Sequence, residues 1–219
     1  MYAFLDCSSL ESVVIGSNVT SIGGSAFIGC SNLKSVYISD LSAWCKISFG
    51  YWTFSNPLRN GAKLYLNNIE VTELTIPSDI TEIKDYTFEG CKSITSLTIP
   101  DSLTSIGECA FFDCSNLKSV TLGNRVTLIG KDAFNSCSSL ESITIPDSVA
   151  SIGGHAFQNC FSLKEVYCKP TTPPSGNSDM FYNYVPDRKI YVPRASVDAY
   201  KAAEYWRDYA DDIEPYDFE

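Results

Sequence analysis

The sequence is poor in the residues on which metal sites, nucleic-acid binding and membrane insertion depend. It has one histidine among 219 residues, and its 16 Lys and Arg stand against 26 Asp and Glu, which gives a formal net charge of −10. Because nucleic-acid binding needs clustered basic side chains, this balance argues against a nucleic-acid partner. Since no run approaches about 18 apolar residues, we expect no transmembrane segment.

The motifs of common enzyme and cofactor sites are also missing. The chain has no C-x-x-C or H-E-x-x-H pair of metal ligands, no G-x-G-x-x-G phosphate loop and no G-x-S-x-G nucleophile elbow. His155 stands at a repeat position whose other occupants are Ser25, Tyr86, Cys109 and Asp132. Such variety indicates a surface position and not a poised base. We therefore expect neither an enzyme nor a bound metal or cofactor.

What the chain does contain is an internal repeat marked by phenylalanine. The units begin at Phe4, Phe27, Phe88, Phe111, Phe134 and Phe157, and all but one of the intervals between them have the same length. The exception is the interval from Phe27 to Phe88. In one unit the recurring positions are Ala133, Phe134, Cys137, Leu140, Ile143, Ile145, Val149, Ile152 and Gly153. A constant period of about 23 residues is typical of solenoid proteins.

The spacing within the unit predicts one coil of a solenoid. Leu140, Ile143 and Ile145 follow an L-x-x-L-x-L pattern, in which the last two side chains point inward from a short strand. A single coil cannot bury its own apolar face, so each coil must stack on its neighbours. With a strand spacing of about 4.8 Å, six or seven coils would form a rod about 35 Å long.

The unit A-F-x-x-C-x-x-L-x-x-V-x-I-P-x-x-V-x-x-I-G resembles the BspA-like (Treponema pallidum type) leucine-rich repeats of bacterial surface proteins, over residues 1 to about 169. The stretch K-I-Y-V-P at 189–193, followed by S-V-D-A-Y-K at 196–201, resembles the C-terminal ends of such proteins from gut bacteria. The resemblance implies a β-rich α+β leucine-rich repeat solenoid with coils of about 23 residues. It also implies a secreted or cell-surface location.

The long interval between Phe27 and Phe88 predicts an aromatic-rich insertion at about residues 40–73. Two apolar stretches, 64–66 and 69–71, flank Asn67-Asn68, a pair that tolerates the positive φ of a tight hairpin. In front of this hairpin we expect a loop over 40–61 that carries Trp44, Phe49, Tyr51, Trp52 and Phe54. These rings either pack on the solenoid flank as a lid or form a ligand-facing patch, since Trp and Tyr dominate binding hot spots.

Residues 170–219 are expected to cap the solenoid. Three prolines, Pro170, Pro173 and Pro174, interrupt the repeat, and 189–193 is predicted to form a further strand. Ser196 is a candidate N-cap for a helix over 197–209, which would cover the open apolar end of the last coil. The stretch 208–219 carries six acids and no base, and we interpret it as a solvated acidic tail.

At the other end, Met1 to Phe4 lie in the middle of a repeat, with no cap and no signal peptide. A complete surface protein needs both, so we expect that upstream coils or a cap precede this chain in a longer protein. Because an uncapped coil leaves apolar surface open, we expect a monomer or a weak dimer through this end.

Six of the nine cysteines share one repeat position, namely Cys7, Cys30, Cys91, Cys114, Cys137 and Cys160. Stacked coils keep equivalent Cβ atoms about 4.8 Å apart, whereas the Cβ atoms of a disulfide lie about 3.8 Å apart. We therefore expect a ladder of buried free thiols that act as small hydrophobic side chains. Cys168 is expected in the core, and Cys45 and Cys109 are the two candidates for exposure.

The outward positions of the first strand in each coil form a predicted stripe of hydroxyl side chains. They are Ser35 and Tyr37, Ser96 and Thr98, Ser119 and Thr121, Ser142 and Thr144, and Glu165 and Tyr167. Strand propensity and solubility explain such residues without any ligand. Solenoids also use extended faces of this kind to bind other proteins, so a functional interpretation stays open.

Two functions from different classes remain. The resemblance favours a cell-surface recognition or adhesion module that binds a host or microbial protein or glycoprotein. Its candidate contact residues are Tyr37, Trp44, Tyr51, Trp52, Thr98, Thr121, Thr144 and Tyr167. The alternative is a structural spacer, a rigid rod without a ligand that carries another domain. A recognition module predicts that the rings of the insertion are exposed, whereas a spacer predicts that they are buried.

Overall fold

A computed structural model describes residues 1–50, 55–177, 179–182 and 185–218. Within these residues the strands, in chain order, are β1 (Ser12–Ile15), β2 (Ser21–Ile22), β3 (Ser35–Ile38), β4 (Ser48–Phe49), β5 (Lys63–Leu66), β6 (Ile69–Glu70), β7 (Glu73–Thr75), β8 (Glu82–Ile83), β9 (Ser96–Thr98), β10 (Ser105–Ile106), β11 (Ser119–Thr121), β12 (Leu128–Ile129), β13 (Ser142–Ile145), β14 (Ser151–Ile152), β15 (Glu165–Cys168), β16 (Lys189–Pro193) and β17 (Ile213–Tyr216). The helices are α1 (Leu41–Cys45) and α2 (Val197–Ala202), with 3₁₀ turns at Pro57–Asn60, Arg194–Ser196 and Arg207–Tyr209.

The chain winds into a solenoid in which each regular coil adds one longer strand and one two-residue strand. The longer strands pair in parallel in the orders β1-β3-β5, β7-β9-β11 and β13-β15-β16-β17, and the short strands in the orders β2-β4 and β8-β10-β12-β14. The register follows the sequence period, because Val120 lies opposite Leu97, the equivalent residue of the preceding coil. The predicted leucine-rich repeat solenoid is confirmed.

Alternation of side chains along the longer strands separates the core from the outward face. In β13, Ile143 and Ile145 are buried while Ser142 and Thr144 are exposed. Since successive residues of a strand point to opposite faces, the apolar half of the pattern must face the interior. The same alternation in each coil builds one continuous apolar core along the axis.

The repeat phenylalanines form a stack through this core. Neighbouring rings are nearly parallel, with centroids 5.4 Å apart between Phe88 and Phe111, 5.3 Å between Phe111 and Phe134 and 5.5 Å between Phe134 and Phe157. The stack continues to Phe181, whose centroid lies 5.3 Å from that of Phe157. Each ring is therefore held by the coils on both sides, which is how one coil stabilises the next.

All nine cysteines lie in the described part of the chain and all are free thiols. At the repeat position, the thiols of Cys30, Cys114, Cys137 and Cys160 bond to the preceding coil; for example, the Sγ of Cys137 donates to the carbonyl oxygen of Phe111 at 3.3 Å. Burial raises the pKa of the Cys91 thiol to about 11, which keeps it protonated and unreactive. Five of the six thiols at this position are buried as predicted, whereas Cys7, on the first coil, is exposed.

The expected exposure of Cys45 is wrong. Cys45 is the last residue of α1, and its side chain is buried. This five-residue helix lies in a region that was predicted to be a loop. The helix begins because the Oδ1 atom of Asp40 accepts a hydrogen bond from the backbone N–H of Ala43 at 2.9 Å. Cys109 is half-buried.

The insertion occupies the long interval between Phe27 and Phe88 and is joined to the regular coil that follows it. Asn56 donates from Nδ2 to the carbonyl oxygens of Tyr86, at 2.8 Å, and Thr87, at 2.9 Å. From the next turn Arg59 forms an ion pair with the buried carboxylate of Glu89. The insertion is thus an irregular coil that is joined by polar contacts to the regular coil after it.

The predicted hairpin is confirmed. Strands β5 and β6 pair antiparallel, with Leu66 opposite Ile69, and the two turn residues Asn67 and Asn68 have φ values of 50° and 66°. Positive φ at both central residues is the requirement of the tight turn that matches the twist of paired strands.

Replacing Asn68 with Val is expected to destabilise the protein by about 1–2 kcal/mol, because a β-branched side chain fits the left-handed region poorly. Replacing it with Gly is the matched control and should leave the stability unchanged or slightly increased. Urea unfolding monitored by circular dichroism measures both. Equal stabilities of the Val and Gly variants would contradict the turn assignment.

The C-terminal segment departs from the predicted helix. The helix ends at Ala202, because Ala203 is extended and Tyr205 has a φ of 65°. Ser196 occupies the N-cap position as predicted, but its Oγ donates to the carbonyl oxygen of Thr171 at 2.7 Å and makes no capping hydrogen bond. Trp206 lies beyond the end of this helix and is nevertheless buried, and its Nε1 donates to the carbonyl oxygen of Pro174 at 2.8 Å.

The interpretation of residues 208–219 as a solvated tail is also wrong. Residues 213–216 form β17, which pairs in parallel with β16, and Ile213 is buried. Three of the six acids of this segment form ion pairs with bases of the preceding coil, namely Arg188–Asp212, Lys189–Glu214 and Arg194–Asp217. The sheet therefore continues well past residue 169, although a domain boundary at that residue stays a prediction.

Candidate functional site

The outward face of the longer strands carries a row of exposed threonines. Thr75, Thr98, Thr121 and Thr144 occupy the same position in β7, β9, β11 and β13 and are all exposed. Register pairs Thr75 with Thr98 and Thr98 with Thr121. The predicted hydroxyl stripe, which we call the threonine row, is thus a flat neutral surface with one hydroxyl per strand step of about 4.8 Å.

A pair of stacked tyrosines lies on the same side of the solenoid, towards its N-terminal end. Tyr37 of β3 lies opposite Tyr65 of β5, and their ring centroids are 5.0 Å apart with an interplanar angle of 26°. The repeat pattern predicts Tyr37 on this face but not Tyr65. The L-Y-L pattern of β5 is recognisable in the sequence. Because the insertion breaks the repeat period, the strand with which β5 pairs could not be predicted. Next to Tyr37 on β1 lies Val14, which is 75% exposed.

A larger group of rings lies at the C-terminal end, and we call it the aromatic cluster: Tyr167, Tyr191, Tyr216 and Phe218. Tyr167 and Tyr191 are stacked with centroids 4.9 Å apart. The ring of Tyr216 meets both at 5.4 Å, and Phe218 lies 4.8 Å from Tyr216. Of these four rings, the repeat pattern predicts only Tyr167. The signal for Tyr191 was the alternation in K-I-Y-V-P, which places it beside Tyr167 once the strands are paired.

Ion pairs on the surface hold the last strand and its rings in place. Arg194 donates two hydrogen bonds to the carboxylate of Asp217, one from Nε at 3.0 Å and one from a second guanidinium nitrogen at 2.8 Å. This contact lowers the pKa of Asp217. The hydroxyl of Tyr167 donates to the Oε2 atom of Glu165 at 3.1 Å. Partial burial and, next, this carboxylate raise the pKa of Tyr167, so its hydroxyl stays a donor at neutral pH.

Two grooves open on the outward face beside these rings. One, of about 510 Å³, is lined by Thr144, Tyr167, Lys169, Tyr216, Asp217 and Phe218. The other, of about 490 Å³, is lined by Glu141, Ser142, Phe161, Ser162, Lys164 and Glu165. Both are bordered by β13 and β15, so they lie at opposite ends of the same two strands.

Within the insertion, the rings of the loop over 40–61 that the structure describes, Trp44 and Phe49, do not contribute to this face. Trp44 is 1% exposed and donates from Nε1 to the carbonyl oxygen of Thr87 at 3.1 Å, so its prediction as a contact residue is wrong. Phe49 packs against it with centroids 5.4 Å apart. The predicted contact residues Tyr51 and Trp52 lie outside the described residues.

The single histidine lies at a repeat position that is defined by backbone conformation. His155 has a φ of 59°, and Tyr86, Cys109 and Asp132 at equivalent positions are also left-handed. Its side chain is half-buried, with Nδ1 3.8 Å from Asp132 and Nε2 3.5 Å from Asp179. Across the described residues, no group of three or more His, Cys, Asp or Glu side chains is placed to hold a metal ion.

In the part of the chain that the structure describes, no helix is both long and apolar enough to cross a membrane.

Comparison with known proteins identifies the repeat. The sequence profile of the BspA type leucine rich repeat region matches in six copies, over residues 1–57 and 61–185. A search of curated proteins finds no significant match.

Solved structures of bacterial leucine-rich repeat proteins are similar to this chain. One from Bacteroides ovatus ATCC 8483 is 24% identical with a TM-score of 0.52, over 98% of this chain and 56% of that protein. A leucine rich cell surface protein from Faecalibacterium prausnitzii A2-165 is 21% identical with a TM-score of 0.46, over 76% of this chain and 62% of that protein. The Treponema pallidum leucine-rich repeat protein is 24% identical with a TM-score of 0.40, over 55% of this chain and 68% of that protein.

This chain therefore spans less than two thirds of the length of the Bacteroides and Faecalibacterium proteins. The repeat profile nevertheless covers most of its residues, and the coils have the strand register, phenylalanine stack and thiol position that the repeat unit predicts. The chain belongs to the BspA-type leucine-rich repeat family.

Proposed function

We propose that this chain is a cell-surface recognition module that binds a host or microbial protein or glycoprotein through the outward face of its longer strands. The observation that carries the proposal is the aromatic cluster. Its rings lie on the outward side of the sheet, and Tyr216 is 40% exposed although the core beneath is already filled by residues such as Val192 and Ile213. Folding alone does not require rings at these positions.

The chemistry of the face suits binding to a protein surface. Tyrosine gives a large contact area with few rotatable bonds, so little conformational entropy is lost when it is covered. Aromatic residues are accordingly enriched among the few contacts that dominate binding energy. The threonine row adds a flat surface of hydrogen-bonding groups beside the rings, which allows a partner to extend over several coils.

The charges along this face alternate in sign. Lys34 lies 4.0 Å from Glu11, and Lys189 lies 2.8 Å from Glu214. A surface with such paired charges creates no strong field of one sign, so association with the partner should depend weakly on salt concentration.

Replacing Tyr216 with Ala is expected to weaken partner binding at least tenfold, because removal of a hot-spot ring costs about 2 kcal/mol or more. The measurement is surface plasmon resonance against a panel of matrix proteins and mucins. Leu128→Ala is the matched control, since Leu128 is 41% exposed but lies on β12, among the short strands. Both variants should keep the wild-type melting temperature to within a few degrees. Unchanged binding of the Tyr216 variant would overturn the assignment of the cluster.

The structural spacer is the second candidate, and the buried indole of Trp44 together with the buried ring of Phe49 supports it. A spacer needs a packed flank and no partner. If the folded chain binds no member of the panel, the spacer is the better account. A weak dimer through the first coil, where Val14 and Leu5 are exposed, is a separate prediction that analytical ultracentrifugation tests.

A further inference from the structure

We propose that the groove beside the aromatic cluster binds a neutral saccharide carried by the partner glycoprotein. This inference rests on the proposed function and assigns it a ligand class. The groove has a volume of about 510 Å³ and lies between Thr144 of β13 and the rings of Tyr167, Tyr216 and Phe218.

Three rings, those of Tyr167, Tyr216 and Phe218, give the groove an aromatic wall. Tyr167 is stacked on Tyr191, one strand further along, and the ring of Tyr216 meets it at an interplanar angle of 75°. On the β13 side the residue in register is Thr144, whose short side chain cannot cover the ring. An aromatic wall beside a groove is suited to the apolar C–H face of a pyranose, which packs flat on aromatic rings while its hydroxyls point sideways.

The groove is also lined by a mixture of polar groups. Thr144 offers a hydroxyl that both donates and accepts, Lys169 offers a donor, and the carboxylate of Asp217 accepts. Sugar hydroxyls each donate and accept, so they need both kinds of group within a small space. Such a set of polar groups at the edge of an aromatic surface is the usual composition of a small-molecule site.

The charge balance of the groove favours a neutral sugar over a sulfated or sialylated one. Around the groove lie two basic side chains, Lys169 and Arg194, and two acidic ones, Asp217, which pairs with Arg194, and Glu165, which accepts from the hydroxyl of Tyr167. These charges balance. An anionic saccharide would meet both carboxylates as well as Lys169, so it would gain little in return for the hydration that it loses.

The second groove extends the site along the same strands. It contains Phe161, which is 61% exposed, together with Ser142 and Glu165. Glu165 of this groove and Tyr167 of the first are two positions apart on β15, a distance of about 7 Å along the strand. A short linear oligosaccharide can therefore reach both, whereas a monosaccharide reaches one. We expect affinity to increase with chain length up to the length that spans both grooves.

The test uses an array of immobilised neutral and sulfated oligosaccharides of one to six sugars, probed with the full chain. We expect binding to neutral oligosaccharides, at least tenfold weaker for Tyr167→Ala and Tyr216→Ala. Tyr216→Phe keeps the ring and should bind like the wild type, as should Leu128→Ala. A melting curve for each variant excludes loss of fold as the cause.

A second arm separates failure of this inference from failure of the proposed function. The glycoprotein that binds in the panel is tested again after enzymatic removal of its glycans. Loss of binding supports the saccharide. Undiminished binding of the deglycosylated protein, with no binding on the array, overturns the saccharide and leaves a protein-binding surface. Competition by a proline-rich peptide, or preference for sulfated sugars, also overturns it. Absence of all binding overturns both proposals.

Discussion

Replacing Phe134 with Ala is expected to destabilise the solenoid by about 4 kcal/mol. The ring is fully buried and lies between Phe111 and Phe157, with centroid distances of 5.3 and 5.5 Å and nearly parallel planes. Its removal leaves a cavity that the neighbouring coils cannot fill, because their own rings are fixed by the stack. The loss also includes the favourable contacts between the rings. Urea unfolding followed by circular dichroism measures the free energy.

The control for this variant is Phe161→Ala, which removes the same side chain from a position that is 61% exposed. That change should alter the free energy of unfolding by less than about 0.5 kcal/mol. If the two variants were equally stable, the stack would not be the structural core of the solenoid. Combining Phe134→Ala with Phe111→Ala should cost less than the sum of the single changes, since the two rings share one contact.

Replacing Arg59 with Ala is expected to destabilise the protein by about 3 kcal/mol at neutral pH, because it leaves a buried carboxylate without its counter-ion. The Glu89 side chain is 4% exposed, and among the described residues its Oε2 atom has no hydrogen-bond partner. Burial already raises the pKa of Glu89 in spite of the opposing charge of Arg59. Without Arg59 this pKa should be higher still.

The pH dependence gives the sharper measurement. A carboxyl group with a raised pKa in the folded state binds a proton more readily when folded than when unfolded. Its stabilising contribution is therefore complete below the usual carboxyl range, about pH 4. This contribution is lost as the pH rises through the raised pKa. We expect the Arg59→Ala variant to approach wild-type stability in acid and to diverge from it towards neutral pH.

The matched control is Glu89→Gln in the Arg59→Ala background, which keeps the shape of the side chain and removes its titration. This double variant should be more stable than Arg59→Ala at neutral pH. The loss of stability towards neutral pH that Glu89 causes in Arg59→Ala should be absent from it. A difference between Arg59→Ala and the wild type that stays constant over pH would show that Glu89 is not the group that titrates.

The repeat made the inward and outward positions predictable from sequence. A constant period fixes the register between coils, so Ile143 had to face inward and Thr144 outward as soon as one strand was recognised. The aromatic cluster was harder to predict, because the tail breaks the period. Glu165 pairs with Lys189, which lies one position beyond the repeat period, after three prolines that end the repeat pattern.

Two other features had no clear signal in the sequence. The last strand, β17, was not predicted because its segment is rich in acids. It has one buried side chain, Ile213, so it shows no alternation of apolar and polar residues. Its ion pairs with the previous coil can be recognised only after the strands are placed. The burial of Trp44 likewise depends on a tertiary contact, its bond to Thr87, which residue type alone does not indicate.

The most direct test of the central claim, that partners bind to the outward face of the longer strands, is a comparison of two charged substitutions. Thr121→Arg places a long cation in the middle of the threonine row, whereas Thr127→Arg places one next to the short strand β12. Both threonines are exposed, so both variants should fold. We predict that surface plasmon resonance detects loss of partner binding for Thr121→Arg and normal binding for Thr127→Arg. Normal binding of both variants, or loss with Thr127→Arg alone, would contradict the claim.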